Sequence, residues 1–186
     1  MGEVANINIP LNWKAVLVNG TYFEWHKHPP RNIRERDLIS GPRVYRWLMR
    51  RTSGEIELVY VGQTERFEKR VSEYRGGKQS RVEPVSTFLS TARKCEDSGG
   101  SVELQFLDLD KESFSVNGKA ITNASLGDHD VRLMMEGIAL VDARARNLSV
   151  LNRLHQNVHI KDLRRIVNQN PKVIERIQQN QRSEQV

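Results

Sequence analysis

The sequence predicts an α/β (α+β) domain: a small, mostly antiparallel sheet flanked by helices, with polar extensions at both ends. Three observations predict it. Short runs rich in β-branched and aromatic residues, at 44–48, 56–61 and 102–107, have the length and pattern of strands. Stretches with helical spacing of apolar residues, at 65–74, 84–95 and 128–147, lie between and after them. Both kinds are interleaved in one chain of 186 residues, a length that suits a single domain. With 38% hydrophobic and 28% charged residues, the core must be modest and much of the chain must face water.

The elements follow in order. Residues 15–18 and 21–23 read as the arms of a hairpin, because Asn19-Gly20 between them suits a turn whose two central positions need positive φ. His28-Pro29-Pro30-Arg31 then breaks regular structure. The strands at 44–48 and 56–61 are joined by Arg51-Thr52-Ser53-Gly54. A turn centred on Thr52-Ser53 would set Tyr45 directly opposite Tyr60, whereas a bulge at Gly54 would shift the pairing. Thr64 suits a helix cap, Glu65 suits the positive end of the helix dipole, and Gly76-Gly77 ends the helix. The second helix carries Val85, Phe88, Leu89 and Ala92 on one side, and Gly99-Gly100 separates it from the strand at 102–107. A second hairpin is expected around Asn117-Gly118. Asp128 or Asp130 opens a helix that is apolar around much of its circumference, so it packs on more than one side. The tail continues with apolar stripes at Leu163, Ile166 and Val167, then Val173, Ile174 and Ile177. This divides the chain into an N-terminal extension with a hairpin (1–40), a core (41–152) and a basic helical tail (153–186).

Composition narrows the function classes. A formal charge of +6 favours an anionic partner. The single cysteine, Cys95, rules out an intramolecular disulfide and fits a reducing, cytoplasmic setting. It has no base beside it in sequence and reads as a structural thiol. No apolar run approaches the ~18 residues of a membrane span. The N-terminus lacks the pattern of a signal peptide.

Two charged residues sit where apolar ones are expected. Phe67, Arg70, Val71 and Tyr74 share one helical face, so Arg70 projects towards the strand carrying Tyr60. A guanidinium there is either paired, with an acid such as Glu136, or aimed at an anion. Glu136 lies on the most apolar helix, where a carboxylate is paired, for instance with Arg132 four residues earlier, or capping, or bound to metal. His155 and His159 are four apart but lack a third ligand, and Gly76-Gly77-Lys78 lacks the spacing of a phosphate-binding loop.

The succession Val44-Tyr45, Tyr60-Val61-Gly62, Arg70, Glu136 and Asn152 resembles the signature of GIY-YIG nucleases, over residues 41–152. The likeness is closest from Tyr60 to Arg70. Arg43 stands where the family has glycine, Tyr74 where many members have histidine, and the stretch between Arg70 and Glu136 is longer than in compact members. Glu103 and Glu112 are therefore the other carboxylates to weigh against Glu136. The resemblance implies a GIY-YIG fold and a metal-dependent DNA endonuclease that hydrolyses phosphodiester bonds. It implies catalytic roles for Tyr45, Tyr60, Arg70, Tyr74 and Glu136, with Glu136 holding one Mg²⁺ or Mn²⁺ ion per active site. Tyr45 would contact the attacking water as a candidate base. Lys69, Gly62 and Asn152 would support the site. Arg43, Arg66, Arg75, Lys78 and Arg81 are candidates for contact with double-stranded DNA. The absence of an appended module points to a site-specific type II restriction endonuclease. The alternatives are a repair, recombination or mobile-element nuclease, or a non-catalytic DNA-binding module of the same fold. A palindromic target would suit a homodimer.

Overall fold

The computed structural model describes residues 7–8, 11–18, 21–23, 40–75, 83–109, 115–116, 119–120 and 125–151. In chain order the elements are β1 (Ile7–Asn8), β2 (Asn12–Ala15), β3 (Leu17–Val18), β4 (Thr21–Tyr22), β5 (Arg43–Arg50), β6 (Ile56–Thr64), α1 (Phe67–Arg75), α2 (Glu83–Asp97), β7 (Ser101–Asp108), β8 (Ser115–Val116), β9 (Lys119–Ala120), α3 (His129–Ala145) and β10 (Ser149–Val150).

Strand β5 dictates the layering. Both of its faces carry buried apolar side chains, Val44 and Leu48 on one and Tyr45, Trp47 and Met49 on the other. Such a strand needs cover on both faces. It lies at the centre of a five-stranded sheet of order β10-β6-β5-β7-β2. Every pairing is antiparallel except that of β10, which runs parallel to β6. Helices α1 and α2 cover the Tyr45 face through Phe67, Val71, Tyr74 and Phe88. Helix α3 covers the Val44 face through Val131, Met134, Met135 and Leu140. The architecture is α+β, with a mixed, mostly antiparallel sheet between helices, in agreement with the expected class. Residues 12–15, assigned by sequence to the N-terminal extension, form the sheet's edge strand against β7. Two small sheets accompany it, β3-β4 and β1-β8-β9. Their strands flank Asn19-Gly20 and Asn117-Gly118, the turns that the sequence marks.

The β5–β6 connection differs from the simplest expectation. Gly54 adopts φ +85°, its N–H donates to the Arg51 carbonyl at 2.8 Å, and Arg51 N–H donates to Glu55 at 2.9 Å. The loop is thus three residues long with glycine in the left-handed position. A further irregularity follows, since Met49 pairs with Leu58 but Arg50 with Ile56. Tyr45 therefore faces Gly62, and Tyr60 faces Trp47, so Tyr45 and Tyr60 are not direct partners. The offset is two residues, which leaves both tyrosines on the same face of the sheet.

Helix α1 starts two residues later than the sequence suggests. Thr64 Oγ1 accepts from Arg66 N–H at 3.2 Å, and the Phe67 N–H is taken by the Gly41 carbonyl at 3.1 Å. Helix α3 is capped by Asp128, whose carboxylate accepts from the N–H groups of Asp130 and Val131. Removing that cap would cost about 1 kcal/mol. Cys95 is half-buried with its thiol directed at the Arg50 carbonyl, and burial raises its pKa, as befits a structural thiol. No described helix is long and apolar enough to cross a membrane.

Candidate active site

Three of the chain's four tyrosines converge on the α1 face of the sheet. Tyr45 on β5 and Tyr74 on α1 are buried, and their hydroxyls share a hydrogen bond at 3.0 Å. Tyr60 on β6 meets Tyr74 edge-on, with ring centroids 6.3 Å apart. Gly62 makes this possible. A Cβ at that position would lie 2.6 Å from the Tyr45 hydroxyl and 2.7 Å from Cζ, so the Tyr45 ring occupies the space a side chain would take. The strand register explains why, since Gly62 is the residue directly across from Tyr45.

Burial pushes all three phenols up from their ordinary pKa. For Tyr45 the neighbouring Tyr60 adds to the rise, and the opposing pull of Tyr74 and Arg70 is smaller. The hydroxyls are therefore protonated at neutral pH and serve as donors. Because the folded values are raised, unfolding releases protons at alkaline pH, and stability falls as pH climbs past the ordinary phenol value of about 10. In a titration followed at 295 nm, these three phenolates are expected to appear together with loss of circular dichroism. Three reversible ionisations near pH 10 in a folded chain would contradict the burial.

Arg70 lies beside this cluster, as its helical face requires. Its Nη1 donates to Glu73 at 2.8 Å rather than to Glu136, so the expected long-range pairing gives way to a local one. Its Nε–H is buried and meets no acceptor among the described residues. Burial opposes its charge, but Tyr45, Tyr74, Glu73 and Tyr60 outweigh that and raise its pKa. The group is a fixed cation with a spare donor.

An open cleft of about 320 Å³ leads to it, lined by Thr64, Arg66, Lys69, Arg70 and Glu73 from the β6–α1 segment and by His129 and Arg132 from α3. Arg66 and Lys69 are exposed at its mouth. Arg43 is half-buried, with its guanidinium over Phe106 and Nη1 bonded to the Pro42 carbonyl, so it is partly engaged within the fold. Arg75 ends α1. Lys78, Arg81 and Asn152 lie outside the described residues, as do Glu112, His155 and His159.

Glu136 reaches the cluster from the other layer. Strand β10 lines β6 at Leu58 and Val59, and Leu151 N–H adds one more bond to Val59, but no described strand borders the Tyr60–Thr64 half on that side. There α3 comes close enough for the Glu136 charge to raise the pKa of both Tyr45 and Tyr60. Glu136 makes no hydrogen bond or ion pair with a described residue, and burial alone lifts its pKa to about 7. The expected contact with Arg132 is not formed. Glu103, the other described carboxylate weighed from sequence, is held by Arg50 at 3.2 Å and paired with Leu48, on the Val44 face away from the tyrosines.

No three His, Cys, Asp or Glu side chains converge among the described residues. One part-buried carboxylate without a counter-ion among the described residues fits a single hard divalent cation that keeps most of its shell as water. Sequence reading missed Gln63, His129 and Arg132. The one available signal was an arginine on a helix apolar around much of its circumference, and its local explanation, a pair with Glu136, pointed to the wrong partner. Comparison with known protein families, with curated proteins and with solved structures finds no match to this chain.

Proposed function

We propose that this protein is a metal-dependent DNA endonuclease of the GIY-YIG type, acting as a site-specific type II restriction enzyme on double-stranded DNA. The observation that carries the reading is Arg70, a permanent cation with a buried, unbonded Nε–H, set among three clustered tyrosine hydroxyls at the end of a cleft that also bears Arg66 and Lys69. The order of Tyr45, Tyr60, Gly62, Arg70 and Glu136 along the chain, and their association in space, support the same conclusion.

Hydrolysis adds water across one P–O ester bond and leaves a phosphate end and a sugar hydroxyl. Negative charge grows on the non-bridging oxygens as the bond breaks. Arg70 supplies the fixed positive charge that this demands. Tyr45, Tyr60 and Tyr74 are held protonated; one proton of the Tyr45–Tyr74 pair is spent on their shared hydrogen bond, and a hydroxyl proton left over in the cluster would donate to water or phosphate. Tyr45 becomes a base only under an added positive charge, since burial alone opposes its ionisation. Glu136 would hold one Mg²⁺ or Mn²⁺ ion, which supplies a Lewis acid and a water of lowered pKa when bound. Lys69 and Arg66 attract the backbone on approach. Asn152 is assigned a supporting hydrogen bond.

Supercoiled plasmid incubated with the protein is expected to be cut when Mg²⁺ is present and left intact in EDTA. Arg70→Ala should lose roughly 10²-fold in rate, because it removes the one preorganised donor aimed at the developing charge. Discrete fragments support the restriction role, and a smear or structure-dependent nicking supports a repair or mobile-element nuclease instead. DNA binding without metal-dependent cutting would leave only a non-catalytic binding module.

A further inference from the structure

Arg132 is the largest polar side chain buried among the described residues, with 1% of its surface exposed. Its five N–H groups meet five acceptors. Nε donates to Gln63 Oε1 at 3.1 Å, Nη1 donates to the Leu126 and Gly127 carbonyls at 2.8 and 3.0 Å, and Nη2 reaches Glu65 Oε1 at 3.0 Å and His129 Nδ1 at 3.5 Å. A guanidinium has five donors, so none is left over.

The acceptors come from three places. Gln63 is at the end of β6, next to the glycine under Tyr45. Glu65 lies between β6 and the helix that carries Arg70. Leu126 and Gly127 lie in the turn just before α3, and His129 opens α3, the helix that carries Glu136. One side chain thus ties the layer bearing the carboxylate to the segment bearing the phosphate-binding arginine. Spacing makes the arrangement more pointed. Arg132 and Glu136 are four apart on one helix, where a direct ion pair is the local default. The long-range acceptors draw the guanidinium away, and Glu136 has no hydrogen-bond or ion-pair partner among the described residues.

We infer that Arg132 is a positioning residue, which docks α3 on the β6–α1 junction and, by being fully engaged there, keeps Glu136 open to a divalent cation. This rests on the nuclease reading only for the identity of the reaction, since the geometry concerns Glu136 and its cation directly.

The test uses the full-length chain, with Mn²⁺ as the probe, followed by electron paramagnetic resonance, and with plasmid cleavage in parallel. Arg132→Lys keeps the charge but cannot reach five acceptors, and its ammonium is free to fold onto Glu136. Mn²⁺ affinity and kcat are expected to fall about ten- to a hundredfold, the range for residues that orient metal ligands, while KM for DNA stays within about twofold. Gln63→Met removes one arm without altering charge and should give a smaller loss in the same two quantities. It also serves as the probe should Arg132→Lys fold poorly. Glu65→Gln, which alters only an exposed arm, should change Mn²⁺ affinity little. Lower melting temperatures with wild-type Mn²⁺ affinity in both Arg132→Lys and Gln63→Met would make the clamp purely structural and overturn the inference. A wild-type chain that binds no Mn²⁺ would overturn it as well. A wild-type chain that cuts no DNA, yet loses Mn²⁺ affinity in these variants, would uphold the inference while sinking the nuclease reading.

Discussion

Replacing Glu136 by glutamine is expected to stabilise the protein and, on the proposed reading, to abolish cleavage of DNA. Burial raises the Glu136 pKa from 4.5 to about 7, with no described partner to offset it. Below the unfolded value both states hold the proton, and the group is neutral in each. Between the two values the folded state takes up a proton that the unfolded state has released, so stability falls as pH rises. Above about pH 7 the folded state carries the full cost of a buried charge, on the order of 3 kcal/mol. Glutamine has nearly the same shape and no charge to bury. At pH 8 the variant should melt roughly 5–10 °C above wild type, and at pH 4 the two should nearly coincide. Mg²⁺ or Mn²⁺ should raise the melting point of wild type and leave the variant unmoved. Melting curves that do not separate with pH would show that Glu136 is better solvated than its surroundings indicate. Surviving cleavage would move the metal to another carboxylate, with Glu112 next in line, since Glu103 is already neutralised by Arg50.

Gly62→Ala is expected to damage fold and site together. The new methyl would sit 2.6 Å from the Tyr45 hydroxyl and 2.7 Å from Cζ. Tyr45 has little room to yield. Phe67 and Tyr74 pack on its ring, with centroids 5.7 and 6.2 Å away, and its hydroxyl is bonded to Tyr74. Overpacking of this kind costs about 1–3 kcal/mol. A displacement of about 1 Å in an orienting group can cost about 10²-fold in rate. Both losses should appear in one variant, read by thermal melting and by plasmid cleavage. Adding Tyr45→Phe removes the closest clash, so the double variant should recover part of the stability and none of the activity. A fully stable and active Gly62→Ala would mean that Tyr45 rests elsewhere and that the glycine serves no such purpose.

Much of this was legible because the main strands and helices announce themselves locally. The run at 44–48 read as a strand of a sheet flanked by helices, and β5 is that strand, with helices on both faces. The i, i+3, i+4, i+7 set in α1 foretold that Arg70 would stand beside Tyr74. Register was not legible, because it turned on a glycine with φ +85° and on an irregularity near Arg50, neither of which a turn motif specifies. The pairing of β2 with β7 was missed for a similar reason, as nothing local in Asn12–Ala15 indicates a partner so distant in sequence. Arg132 failed most instructively. Its nearest acid in sequence was Glu136, but the choice among acceptors depended on where Gln63 and the Leu126 carbonyl came to rest.

The parallel strand β10 carries a consequence in time rather than in space. The β5–β6 hairpin and α1 are local structures, and they can bring Tyr45, Tyr60, Tyr74 and Arg70 together soon after they are synthesised. Glu136 arrives only when α3 and β10 dock against β6, joining Leu58 to Ser149 in a long-range pairing of the central sheet. Such contacts form late, because a long loop must close before they give any return. A ribosome-bound chain that has emerged only as far as β7 would carry the arginine and tyrosines of the site without its carboxylate. On the proposed reading, the growing chain could grip nucleic acid well before it could cut it.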